Sequence, residues 1–415
     1  MKDSGVEWIG DIPDSWILNK MKRYFVFNKG INAGLYTKES IHESGLYPVY
    51  SGQTENNGIL GYLDYYEYDI DEVLFTTTVG AKVMTLNLLS GKFSLSQNCV
   101  LIKPKKRLNL KYYYYYLSSL FEYEKSLIPS YMQPSLRVLD LQKYTILVPS
   151  FLEQQRISKY LDKNIQLITE IINDTKQSIE ELKKYKQSLI TEVVTKGLDK
   201  NVEMKDSGIE WIGEIPKGWE VKKIRYLIKE TSVKNNKNQK VLSLYRDYGI
   251  VYKDSRSDNH NVTSEDTSSY KKVEKGNLVI NKMKAWQGSM AISNIEGIIS
   301  PAYFIFEIID KTVYLPFLNI ALRNNSYLEE YKRLSAGLRI GQWDLNKHQF
   351  KNIRYAFPPT IEEQIKIVKY LEHKINYIDN LINKKSKIII EYESYKKSLI
   401  YEYVTGKKEI GQEVE

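Results

Sequence analysis

Cysteine is nearly missing from this chain: Cys99 stands alone among 415 residues. No disulfide can form within the chain, and no cysteine-based zinc site can be built. A reducing compartment is therefore expected. No run of eighteen apolar residues occurs, which leaves no candidate membrane-spanning helix. The start, Met1-Lys-Asp-Ser-Gly, lacks the apolar core of a signal peptide. A soluble, cytoplasmic protein that makes no membrane contact is the expectation. Catalytic signatures are missing too. There is no Gly-x-x-x-x-Gly-Lys-Ser/Thr phosphate loop. There is no Asp/Asn-Pro-Pro-aromatic run of the kind an amino-methyltransferase needs. Pro-Asp occurs once, at Pro13-Asp14, and the next Glu-x-Lys, Glu181-Leu-Lys183, lies in a helical stretch. A nuclease site of that type is not expected. The four histidines (His42, His260, His348, His373) are scattered without metal-ligand spacing. No catalytic residue, no metal ligand and no cofactor of its own is assigned to the chain.

Charge is present but uneven. The net value is +9. Residues 201–358 hold 25 Lys and Arg against 18 Asp and Glu, whereas residues 1–150 hold 16 against 15. A basic surplus suits a polyanionic partner, although a lysine-rich composition alone can produce it.

The strongest signal is repetition. Residues 1–16, MKDSGVEWIGDIPDSW, return at 204–219 as MKDSGIEWIGEIPKGW, with twelve of the sixteen positions identical. The tryptophans of the Trp-Ile-Gly core, Trp8 and Trp211, are expected to dock on apolar surface. A second repeat runs from Ser150 to Gly197 and from Thr360 to Lys407. Each copy opens on a capping box, Ser150-x-x-Glu153 and Thr360-x-x-Glu363. Apolar residues at Leu161, Ile165, Ile168, Ile172, Ile179, Leu182, Leu189 and Val193 alternate steps of four and three, with Thr175 and Lys186 as polar members. The later copy gives Leu371, Ile375, Ile378, Ile382, Ile389, Tyr392, Leu399 and Tyr403, with Lys385 and Lys396 as polar members. This is a heptad seam, and each seam needs a partner. Lysine at a seam can fix register at a cost in stability, or face outward toward another protein.

Between these repeats lie two unlike blocks. The first mixes short strands and turns, and its run of five tyrosines, Tyr112–Tyr116, suits core packing on a helix better than base stacking. The second, 220–358, has its most informative stretch at Val279-Ile-Asn-Lys-Met-Lys-Ala-Trp-Gln-Gly288. A duplicated frame holding two different inserts suggests two readings made with one geometry. The side chains able to present hydrogen bonds to base edges or phosphates are Gln53, Asn56, Asn57, Thr77, Lys82, Gln97 and Asn98 in the first block. In the second they are Arg246, Lys282, Lys284, Trp286, Gln287, Arg339 and Gln342. Arg and Lys suit guanine, Asn and Gln suit adenine, and lysines often serve phosphates instead.

The set of motifs resembles the specificity subunit of type I restriction–modification systems along essentially the whole chain. The residues that carry it are the repeated Trp-Ile-Gly-x-Ile-Pro openings and the helix entries Leu152-Glu-Gln-Gln155 and Glu362-Glu-Gln364. The exits Tyr-Lys-x-Ser-Leu-Ile-x-Glu-x-Val-Thr at 185–195 and 395–405 belong with them, as does Asn281–Gly288 with Ser300-Pro-Ala-Tyr303. The resemblance implies a mixed α+β architecture. Two α/β target-recognition domains are separated by two long helices packed as an antiparallel coiled coil, with an internal pseudo-two-fold repeat. The boundaries expected are 1–149 and 204–358 for the domains, 150–199 and 359–407 for the helices, and 408–415 for a tail. It also implies double-stranded DNA as ligand, each domain reading half of a bipartite, asymmetric site. Two methylation subunits are implied partners, with S-adenosylmethionine bound on them, and restriction subunits join for cleavage. The subunit itself does no chemistry. Two other readings remain open: a coiled-coil scaffold unrelated to DNA, and part of a fused restriction–modification enzyme. If the helices act as a ruler, the seam from Leu161 to Val193 spans about 48 Å at ~1.5 Å per residue. That is about 14 base pairs at ~3.4 Å each.

Overall fold

The computed structural model describes residues 1–30, 36–37, 39–52, 58–80, 82–129, 131–234, 239–246, 248–256, 266–337 and 343–410. The fold is mixed α and β and divides into two compact units. One comprises residues 1–176 with 387–415, and the other residues 177–386. Both boundaries therefore fall inside long helices, Phe151–Lys196 and Ile361–Val404. Each half-helix lends its apolar seam to the core of one unit. Leu161, Ile168 and Ile172 join Leu399, Tyr403 and Val404 in the first unit's core. Leu189 and Val193 join Leu371 and Ile378 in the second.

The heptad positions of the two long helices lie against protein. All sixteen apolar members are buried or half-buried. Within the first unit the Tyr160 and Tyr403 rings lie 4.6 Å apart, and Lys396 Nζ donates to Thr169 Oγ1 at 3.2 Å. Numbering rises on one helix as it falls on the other, so the pair is antiparallel. Within the second unit Lys186 Nζ grips both oxygens of Asp379, at 2.7 and 2.8 Å. Lys186 and Lys396 thus face inward, one onto a carboxylate and the other onto a hydroxyl.

The first unit is built on a six-stranded sheet. Its order is Phe25–Lys29, Cys99–Pro104, Tyr68–Thr77, Leu86–Leu95, Tyr47–Tyr50, Ile59–Leu63. Only the Leu86–Leu95 and Tyr47–Tyr50 pairing is parallel. Helix Leu110–Ser126 packs the tyrosine run inward, and Tyr112, Tyr113 and Tyr116 have no exposure at all. Burying a phenol requires a partner for its hydroxyl. Tyr112 donates to the Val404 carbonyl, Tyr113 to Leu147 and Tyr116 to Thr145. The second unit is built on a four-stranded antiparallel sheet, Ile228–Thr231, Tyr303–Ile308, Leu278–Asn281, Met290–Ile292.

The repeated openings do the same job in each unit. Each folds as a two-stranded clasp, Lys2–Asp3 on Asp11–Ile12 and Met204–Asp206 on Glu214–Pro216. The anchoring tryptophans are Trp16 and Trp219, each 2% exposed. Trp8 and Trp211 lie against tyrosine rings instead, and Trp211 stays 40% exposed. Trp16 Nε1 donates to Glu153 Oε1 and Trp219 Nε1 to Glu363 Oε1, both at 2.9 Å. These are the capping-box glutamates, so one carboxylate both caps a helix and fastens an opening. In the first box Glu153 N donates to Ser150 Oγ at 3.2 Å, and Glu153 Oε2 accepts from Ser150 N at 3.4 Å. The neighbouring glutamines, Gln154 and Gln364, are buried and accept from the backbone of Asn109 and Tyr314.

Candidate nucleic-acid interface

In the second unit the stretch 281–288 forms a stiff turn. Asn281 Oδ1 accepts from the backbone N–H groups of Met283 and Lys284. A short 3-10 turn, Ala285–Gln287, buries Ala285 and ends on Gly288 at φ +79°. The local sequence explains this shape, since Asn favours the turn and Gly tolerates the left-handed exit. Lys284 is left exposed, and Gln287 half-buried. Trp286 is half-buried against Trp343, with ring centroids 5.1 Å apart, and its Nε1 donates to the Met283 carbonyl.

Gln287 lines an open cavity of about 590 Å³ together with Arg246. Two candidates well separated in sequence therefore converge. Lys186, Gln187, Asn319, Arg323 and Asn325 complete its polar lining. Among the described residues this lining carries three cationic side chains and no carboxylate. Amides and guanidinium groups at one concave surface can meet paired acceptors and donors on base edges, or phosphate oxygens. Lys282 points elsewhere, its Nζ 5.1 Å from the Phe304 ring centroid. Arg339 and Gln342 lie outside the described residues.

In the first unit Gln97 and Asn98 line a cavity of about 360 Å³ with Tyr36, Ser51, Gly52 and Gly80. Lys82 is exposed on the turn that follows strand Tyr68–Thr77. Thr77 requires a correction. It is 2% exposed, its hydroxyl donates to the Lys82 carbonyl, and it accepts from Thr85 N. The side chain holds the turn and has no surface to offer a base. Gln53, Asn56 and Asn57 lie outside the described residues. Arg323, Asn319 and Asn325 were not picked out from sequence. They sit on and after an apolar helix, Leu315–Leu322, and no local pattern marks them.

No helix among the described residues is long and apolar enough to cross a membrane. No group of three or more His, Cys, Asp or Glu among them is arranged to hold a metal ion.

Comparison with known proteins adds family information. Residues 26–181 match the model of the type I restriction modification DNA specificity domain. A type I specificity subunit of Mycoplasma pneumoniae is 42% identical over 84 residues, 20% of this chain and 23% of that protein. The MjaX specificity subunit of Methanocaldococcus jannaschii is 28% identical over 51% of this chain and 52% of its own length. The chain thus spans about a quarter and about half of these two relatives. The MjaVIII specificity subunit of the same organism is 25% identical over 95% of this chain and 93% of its own. Among solved structures, a chain from a study of type I R-M system assembly and conformational transition has a TM-score of 0.68 at 13% identity, covering 96% of this chain and 100% of that one. The HsdS subunit of Thermoanaerobacter tengcongensis has a TM-score of 0.54 at 14% identity, covering 98% and 100%. At such identities the likeness shows the fold. Residues 26–181 are thus similar to the type I restriction modification DNA specificity domain, and the chain as a whole resembles type I specificity subunits.

Proposed function

We propose that this chain is the non-catalytic, sequence-reading subunit of a type I restriction–modification complex. Each of its two blocks reads one half of a bipartite, asymmetric double-stranded DNA site. The long helices set the spacing between the halves and dock two methylation subunits, which bind S-adenosylmethionine and methylate adenine. Restriction subunits join the same assembly for cleavage. The supporting observation is the pairing of a duplicated frame with two unlike concavities. One is lined by Arg246 and Gln287, the other by Gln97 and Asn98. A frame repeated so closely serves one geometric purpose, while unlike linings present different donor and acceptor patterns to bases.

The test is methyl transfer from labelled S-adenosylmethionine to DNA. Transfer is expected from the chain with its methylation subunits and not from the chain alone. Transfer by the chain alone overturns the non-catalytic reading. Within that assay Gln287→Ala should relax the requirement at one base of one half-site. Lys284→Ala should weaken binding to all sequences and flatten its salt dependence. Unaltered site preference and salt dependence in both variants would remove the 281–288 turn from the interface.

A further inference from the structure

We propose that four lysines gathered around Glu230 and strand Tyr303–Ile308 in the second unit form a seat for the sugar–phosphate backbone of double-stranded DNA, a seat whose Glu230, Lys347 and Lys351 have no counterpart at the equivalent positions of the first unit. The inference rests on the DNA-reading function above and adds Lys271, Lys347 and Lys351, which sequence motifs do not mark.

The four lysines come from three separate segments. Lys347 and Lys351 belong to the short helix Lys347–Phe350 and its C-cap. Lys271 opens strand Lys271–Val273, and Lys282 follows strand Leu278–Asn281. Lys347 Nζ lies 2.8 and 2.9 Å from the two oxygens of Glu230, and Lys351 Nζ lies 3.6 Å from one of them. Lys282 and Lys347 rest over the Phe304 ring, at 5.1 and 5.5 Å, and Lys351 over Phe306 at 5.6 Å. Lys271 Nζ donates to the Tyr303 carbonyl at 2.7 Å. A single carboxylate can neutralise only one of the four ammonium groups. Burial, and then the charges of Lys282, Lys234 and Lys347, hold the Lys271 ammonium below the usual lysine range. Burial works against the charge of Glu230 too, yet Lys347, Lys351 and Lys271 hold its carboxyl below the usual range.

The frame itself does not require this cluster, and the internal repeat demonstrates it. Turns Met21–Arg23 and Ile224–Tyr226 are equivalent, since Met21 N donates to Tyr144 O and Ile224 N to Ile353 O, both at 2.9 Å. Strands Thr145–Val148 and Arg354–Phe357 close the two units in the same way, each pairing with the strand just before those turns. Leu141 and Phe350 fill the same fully buried seat ahead of them. By this correspondence Glu230 stands where the first unit has Phe27, Lys347 where it has Val138, and Lys351 where it has Gln142. At these three places one unit folds around apolar and neutral residues where the other carries charge. The aromatic rings hold the lysine stems, while Lys347 and Lys351 keep 28% of their side chains exposed. Partly exposed ammonium groups that repel one another gain from an incoming row of phosphates.

The experiment measures binding of a mixed-sequence DNA duplex, across a salt series, to the full chain assembled with its methylation subunits. Lys347→Gln/Lys351→Gln should weaken binding at low salt by about tenfold and reduce the log–log salt slope by about 0.9 for each phosphate that is no longer neutralised. Glu230→Gln removes the competing carboxylate and keeps every lysine, so binding should tighten. Lys282→Gln, which leaves both ion pairs of Glu230 in place, serves if the double variant unfolds, and a reduced slope is expected there too. Wild-type slopes in the lysine variants, or weaker binding in Glu230→Gln, overturn the seat. A wild-type complex that binds no duplex overturns the DNA-reading function as well.

Discussion

Gly197→Ala and Gly406→Ala make one chemical change at the ends of the two long helices, in surroundings that differ measurably. Both glycines have left-handed backbones, at φ +75° and +73°. An alanine at either position therefore carries a conformational strain of about 1–2 kcal/mol. The added methyl meets different neighbours. At Gly197 its nearest contact is Trp219 Cζ2 at 3.3 Å, and Pro216 Cγ is 3.8 Å away. At Gly406 it falls 2.4 Å from Pro13 Cδ, 2.8 Å from Pro13 Cγ and 3.2 Å from Trp16 Cη2. The proline ring cannot rotate away, and Trp16 is held by its bond to Glu153. Overpacking of this kind costs roughly another 1–3 kcal/mol. Gly197→Ala should therefore lose about 1–2 kcal/mol, and Gly406→Ala about 2–5 kcal/mol. Urea unfolding followed by tryptophan fluorescence reads both, because Trp16 and Trp219 sit beside the altered residues. Each variant should act on the unfolding of its own unit, residues 1–176 with 387–415 for Gly406 and 177–386 for Gly197. Equal losses, or a larger loss at Gly197, would refute the reasoning from close approach.

The seam offers a second comparison. Asp379→Thr copies onto the second unit the arrangement that Lys396 and Thr169 make in the first. With Lys186 24% and Asp379 45% exposed, solvent screens the pair, and the loss should be about 0.5–1 kcal/mol by urea unfolding. The same substitution in a Lys186→Met background should cost less, and an undiminished cost would show that the ion pair is not its cause. Deleting one heptad from each long helix should shorten the preferred spacer between half-sites, read by methylation mapping of the host genome. An unchanged spacer would end the ruler idea.

Much of the frame was legible in the sequence because it is written in local periods. A heptad seam, a capping box and a sixteen-residue repeat each depend on spacings along one segment, and helical geometry turns them directly into faces and ends. The buried tyrosine run was legible for the same reason. The candidate interface was legible only in part. Arg246 and Gln287 were chosen for their hydrogen-bonding chemistry, but nothing in one dimension says that they share a cavity with Arg323 and Asn325. Thr77 was misjudged because its hydroxyl satisfies a turn that only the folded backbone creates.

The sequence by itself determined that there are two copies of one frame, two long seamed helices and two unlike inserts. Tertiary structure decided the partners. It chose Trp16 and Trp219, rather than the tryptophans of the conspicuous Trp-Ile-Gly motifs, as the anchors on Glu153 and Glu363. It set Lys186 against Asp379 and Lys396 against Thr169, at seats that look alike in the heptad. It also drew lysines from three segments around Glu230 and the aromatic strand Tyr303–Ile308. The physical reason is that periodicity specifies which face of an element is apolar. Which elements meet across those faces depends on sheet order and chain closure, and these are settled only when the whole core packs.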